Sequence, residues 1–192
     1  MKRLLLILIL ILSFQTWTKA DDIRDFEIEG ISIGDSLLEY TDKKYILEEI
    51  KNAYFYPNSK KFAVINFNKD NLKLYDDLNI TFKPKDTKFI IHSLKGIANK
   101  DLDECLRLKK IVNTDISKIT RITKTKTYTN DYNKTYGKSI AYIDDYYLKD
   151  GVIRTWCVVW DREHVKDDWL NSLNVSAGSL EFKKFIQNEA YK

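Results

Sequence analysis

Two strand-like runs, 139–148 and 152–160, flank Lys149-Asp150-Gly151. Asp-Gly between such runs is the strongest short hairpin signal in the chain, because a tight hairpin turn needs residues that tolerate positive φ. Read with period two, the second run puts Ile153, Thr155, Cys157 and Val159 on one side. Val152, Arg154, Trp156, Val158 and Trp160 fall on the other. Both sides are largely apolar, which predicts a central strand. Three more strands are expected at 61–68, 72–83 and 89–98, with short polar connections that suit an antiparallel meander. The stretch 121–138 carries Thr and Lys in alternation from Thr123 to Thr127. That fits a polar edge strand guarded by lysines, or a loop.

Helical signals separate these runs. Ser36 and Glu39 have capping-box spacing, and a second start at Asp42 leads into 43–54. Leu102, Cys105, Leu108, Val112, Ile116 and Ile119 step by three and four and form one apolar stripe, with Cys105 on it. Two more helices are expected at 163–173 and 179–191. The fold class is therefore α+β: an antiparallel sheet of five to six strands packed by helices, in an order that allows two tandem helix-plus-meander units. A chain of 192 residues has room for one such domain of ordinary size, at 21–192.

Residues 1–20 read as a signal peptide. Lys2 and Arg3 precede nine consecutive Leu and Ile residues, 4–12, and Thr18-Lys19-Ala20 offers small side chains for cleavage before Asp21. A membrane span needs about 20 apolar residues, and the run is under half that. No later stretch approaches membrane length. The mature chain is thus expected outside the cytoplasm, periplasmic or secreted, where a pair of cysteines is normally oxidised. Cys105 and Cys157 are expected to form a disulfide between the long helix and the second hairpin strand. The formal charge of +4 is largely a property of the leader: without it the chain holds 29 basic and 28 acidic residues. Composition then gives nucleic-acid binding no support.

No motif fixes an activity. The two histidines, His92 and His164, are far apart, and HExxH, CxxC, GxSxG and glycine-rich phosphate loops are all missing from the sequence. No catalytic set, metal site or cofactor is expected. Asp161, Glu163 and His164 read as a capped, solvated turn rather than an acid/base pair. Asp144-Asp145 and Asp76-Asp77 are calcium candidates by charge, but two adjacent acids on a strand point to opposite faces, so each pair offers one ligand to any site. Two binding surfaces are candidates. Aromatics crowd the second half, and Trp156, Trp160 and Tyr146 form either a platform for sugars or a partner's side chains, or simply core. Trp169 is expected to be mostly buried and Trp160 partly exposed. Lys109, Lys110, Lys118, Arg121, Lys124 and Lys126, together with Arg107, form either a basic patch for an anionic envelope component or an ordinary solvated surface facing the acidic segment 21–50.

Residues 28–38, Ile-Glu-Gly-Ile-Ser-Ile-Gly-Asp-Ser-Leu-Leu, resemble the start of a group of uncharacterised small exported proteins from AT-rich marine bacteria. The stretch from Lys149-Asp150-Gly151 through Trp156-Cys157-Val158-Val159-Trp160-Asp161, with Trp169 and Leu173-Asn174-Val175, resembles their second half. That group implies no activity. A glycine-led turn into a helix followed by a meander is also similar, at the level of fold, to outer-membrane-assembly lipoproteins and β-lactamase-inhibitor-protein-like domains; the lipobox cysteine of the former is missing. The expected function is non-catalytic binding or interaction with an unknown envelope component. The alternatives are an inhibitor or chaperone-like partner of another exported protein, and a carboxylate-based hydrolase.

Overall fold

The computed structural model describes residues 22–68, 72–119, 122–166 and 169–192. The expected leader and Arg121 lie outside them. The described chain opens with a short antiparallel pair, β1 (Glu27–Ile28) and β2 (Ile31–Ser32). Glu29 and Gly30 turn between them at φ 54° and 74°. The capping box at Ser36 forms as read: its hydroxyl accepts from the Leu38 amide at 3.2 Å, and Glu39 accepts from the Ser36 amide at 3.1 Å. It starts a single 3-10 turn, and Asp42 then caps helix α1 (Lys43–Lys51).

Eight strands make one antiparallel sheet. After α1 come β3 (Tyr54–Tyr56), β4 (Ser59–Asn66), β5 (Asp77–Phe82) and β6 (Ile91–Asn99). Helix α2 (Leu102–Ile119) follows, then β7 (Lys124–Asp131), β8 (Ile140–Tyr147), β9 (Gly151–Val159) and β10 (Ser172–Ser179). Helix α3 (Leu180–Asn188) closes the chain. The spatial order is β3-β4-β5-β6-β10-β9-β8-β7, so the last strand of each meander pairs with the other at the centre. The Asp150-Gly151 hairpin joins β8 to β9, and β9 is central as its two apolar sides require.

The sheet is larger than the five to six strands expected. Strand β3 was expected as the end of a helix; Tyr54, Phe55 and Tyr56 instead extend along β4. Strand β10 falls where helices were expected to end and begin. It reads Ser-Leu-Asn-Val-Ser-Ala-Gly-Ser, and its apolar residues Leu173, Val175 and Ala177 are fully buried on one side. Its other side carries Ser172, Asn174, Ser176 and Gly178, small and polar residues that line the grooves of the second face, and they weaken the strand signal. The helix expected at 163–173 does not form; its described residues are turn and extended chain, because Ser172 already belongs to β10. The stretch 124–131 is the polar edge strand, nearly all exposed.

The two sides of the sheet are dressed differently. On one, α1, α2 and the N-terminal segment cover Ile65, Ile80, Leu94, Val175, Ile153 and Cys157 in the main core. The sulfurs of Cys105 and Cys157 are 2.00 Å apart and their Cα atoms 5.9 Å apart, which is disulfide distance. On the other side, α3 covers one end by packing Phe185 on Phe62. A helical turn, Asn133–Tyr136, and the 160–171 segment border the opposite end. The sheet surface between them is open.

Candidate functional site on the open face of the sheet

Register places Asp77 of β5, Lys95 and Asn99 of β6, Ser172 and Asn174 of β10, and Trp156 of β9 on this open surface. They line a groove of about 500 Å³ whose wall is Trp160, Trp169 and Tyr132. All four aromatic side chains are half-buried. Trp160 and Trp169 meet edge to face at 4.7 Å, and Tyr132 stacks on Trp160 at 5.8 Å. Trp156 also borders a second groove of about 220 Å³ that runs under α3 beside Arg154 and Lys183.

The wall is fixed by backbone contacts. Asp161 accepts from the Lys138 amide at 2.8 Å and the Glu163 amide at 3.1 Å, and its own amide donates to Ser139 Oγ at 2.8 Å. Trp160 N–H donates to Asn171 Oδ1 at 2.9 Å, and Arg162 reaches the Trp169 carbonyl at 2.6 Å. Gly137 sits at φ +59°, and a Cβ there would lie 2.3 Å from Asp161 Oδ2 and 2.4 Å from His164 Nδ1. Those two amide contacts, more than His164, hold the Asp161 carboxyl below its ordinary value. Asp161, Glu163 and His164 can bring three ligand atoms within 4.8 Å. This exposed cluster fastens the loop, since its central carboxylate is already engaged by two amides.

The floor is different in kind. Asp77 and Lys95 are half-buried, and among the described residues neither side chain makes a hydrogen bond or an ion pair. Burial pushes the Lys95 ammonium below its usual value, and the Asp77 carboxylate acts against that shift.

The other residues singled out from the sequence do not gather here. Trp156 and Trp160 share the groove, whereas Tyr146 lies behind the sheet. Trp156 pairs with Ile143, Tyr146 with Ile153, and the odd spacing between Ile143 and Tyr146 sends them to opposite faces. Tyr146 is buried, and burial, then the Asp144 carboxylate, pushes its hydroxyl up to about 12. Trp169 is half-buried like Trp160 rather than sunk in a helix face, because the helix that was to carry it is absent.

The basic residues also separate. Lys109 is buried and paired with Asp144 at 2.6 Å, with Asn113 and Thr127 donating to the same carboxylate at 2.8 and 2.5 Å. Burial raises the Asp144 carboxyl, but the bonds from Lys109 and Thr127 outweigh it and leave the group below its ordinary value. Lys110 and Lys118 are exposed on α2, Lys118 paired with Asp115. Lys124 and Lys126 lie on β7 over the rings of Tyr147 and Tyr128 at 5.9 and 4.4 Å. Asp145 faces away from Asp144 and holds Arg154 bidentately at 2.6 and 3.0 Å.

Sequence reading singled out none of Lys95, Asn99 and Asn174 as site residues, and set Asp77 aside as half of a pair split between two faces. Each is an ordinary polar residue on its own strand, and only the sheet order brings them together. The available signal was the polar side of the β5 and β6 runs, where alternation leaves Asp77, Asn79, Lys95 and Asn99 outside the core. No protein-family model matches the chain, and no curated protein or solved structure shows significant similarity to it.

Proposed function

We propose that the chain is an exported, non-catalytic binding protein of the cell envelope, periplasmic or secreted, closed by a Cys105–Cys157 disulfide. The observation that carries this reading is the asymmetry of the sheet. One face is sealed, and the other presents three indoles beside a polar floor whose charged groups have no protein partner among the described residues. Aromatic side chains with one apolar face and one wet edge are suited to contact surfaces. The leader at 1–20, with processing after Ala20, supports export. The cysteine pair at disulfide distance supports an oxidising compartment. Among the described residues no helix is long and apolar enough to cross a membrane.

A second reading is an inhibitor or chaperone-like partner of another exported protein. The element order favours it: a helix and a four-strand meander occur twice and build one sheet with an open face. That order supports two tandem units and the resemblance to β-lactamase-inhibitor-protein-like domains.

The test is sedimentation of the purified, exported protein with washed envelope material. Wild type should co-sediment, and Trp156→Ala and Trp160→Ala should stay in the supernatant while keeping the wild-type melting profile. Equal sedimentation of wild type and both variants would refute a role for this face.

A further inference from the structure

The geometry points to a polyhydroxylated chain, a glycan, as the occupant of the open-face groove, an assignment that rests on the binding reading above. Asp77 and Lys95 carry the argument. They stand on the same face of neighbouring strands, one alternate position apart in register, and line the same groove, yet they form no ion pair with each other. Each is half-buried and so has lost part of its water without gaining a described protein partner. Leaving such groups unpaired is costly.

A hydroxyl can serve both groups, because one such atom donates to a carboxylate and accepts from an ammonium. A phosphate or another polyanion satisfies Lys95 but is repelled by Asp77. An acyl chain satisfies neither. The groove also lies on a face of the sheet rather than along an edge, so an extended peptide finds no free strand there to pair with. The remaining lining agrees with a sugar. A pyranose ring has an apolar C–H face and a rim of hydroxyls. The indoles of Trp156, Trp160 and Trp169 supply flat apolar surface for the first, and the Asn99 amide supplies both a donor and an acceptor for the second. Trp156 stands between the larger and the smaller groove, which suits a chain of rings passing over its indole rather than a single sugar.

The probes are maltohexaose, cellohexaose and chitohexaose, titrated into the purified exported protein with tryptophan emission and calorimetry as readouts. At least one should bind saturably and shift the emission. Trp160→Ala and Lys95→Gln should each weaken that binding tenfold or more, a factor worth about 1.4 kcal/mol. Tyr54→Ala, at the far sheet edge, should bind as wild type, and melting curves confirm that all variants fold. The assignment is overturned if no hexaose binds at about 10 mM, a concentration that detects even very weak complexes. It is equally overturned if Trp160→Ala and Lys95→Gln bind the hexaose like wild type. Should the hexaoses fail while Trp160→Ala still abolishes retention on envelope material, the glycan falls and a protein partner takes the groove. Should that retention also be unaffected, the binding reading itself falls.

Discussion

The closed face of the sheet and the floor of the open-face groove hold the same kinds of charged residue under opposite conditions. On the closed face the Asp144 carboxylate meets Lys109, Asn113 and Thr127, and Asn113 Oδ1 in turn accepts from Thr155 at 2.6 Å. On the open face Asp77 and Lys95 stand beside each other without such bonds among the described residues. A buried ion costs free energy unless it is paired and hydrogen-bonded. The closed face meets that demand from its own side chains, so its charges serve the fold. On the open face Asp145 and Arg154 meet it in the same way, and only the groove floor at Asp77 and Lys95 does not.

The largest effect should come from severing the link that seals the closed face. The Cys105–Cys157 pair spans a sequence separation of 52. Chain-entropy arithmetic for a loop of that size gives about 4 kcal/mol. Cys105→Ala with Cys157→Ala should lose about that much in urea unfolding, yet leave groove binding unchanged, because both residues lie behind the sheet. Thiol titration of denatured, unreduced protein should find no free thiol. Two equivalents would remove the disulfide and, with it, the main structural support for an oxidising compartment.

Next in size is Asp144→Ala, at about 3 kcal/mol, the low end for breaking a buried pair and leaving its partner charged. Because the folded Asp144 carboxyl lies below its ordinary value of 3.8, its contribution is present above that pH and fades as pH falls through the folded value. Acid titration of stability should therefore be shallower in Asp144→Ala than in wild type. A smaller cost, about 1–3 kcal/mol, is expected for Gly137→Ala, which forces a side chain into positive φ against Asp161. Its effect on binding should exceed its effect on stability, since it displaces the loop that carries Trp160 and Trp169. Equal acrylamide quenching of the two indoles in wild type and variant would show that Gly137 does not set the wall.

These elements differ in how far the sequence discloses them. The hairpin at Asp150-Gly151, the capping box at Ser36 and the stripe that points Cys105 at the sheet are local patterns, and each forms. Strand β10 was hidden because, apart from Leu173 and Val175, it is built from Ser, Asn, Ala and Gly, which carry little periodic signal. Missing it had two consequences: the sheet was undercounted, and Trp169 was put on a helix. Trp156 and Trp160 were legible as platform candidates from the crowding of aromatics in the second half of the chain. The parity that put Trp156 with Val158 and Trp160 held. Tyr146 was misgrouped because its face depends on the register of β8 against β9, which no single run reveals. The floor of the groove was illegible for the same reason, as Asp77 and Lys95 come from neighbouring strands and meet only through β5–β6 pairing.

The smallest expected effect is the sharpest comparison. Lys95→Met removes a half-buried charge from the open face, as Asp144→Ala does from the closed one. Asp144 leaves a partner behind; Lys95 has no ion-pair partner to orphan among the described residues. Its loss should therefore cost no more than about 0.5 kcal/mol, the range of substitutions that touch no specific feature, and should tend to stabilise. The sign follows from titration. Burial holds the folded ammonium below its usual 10.5, so near that pH the unfolded chain binds this proton more tightly than the folded one. Wild-type stability then gains from Lys95 as pH rises from the folded value towards 10.5, and the Lys95→Met variant lacks that gain. The variant should be at least as stable as wild type at pH 7, with the difference narrowing in alkali. A loss of about 2 kcal/mol or more at pH 7 would mean that Lys95 is satisfied within the fold, and the contrast between the closed face and the groove floor would collapse.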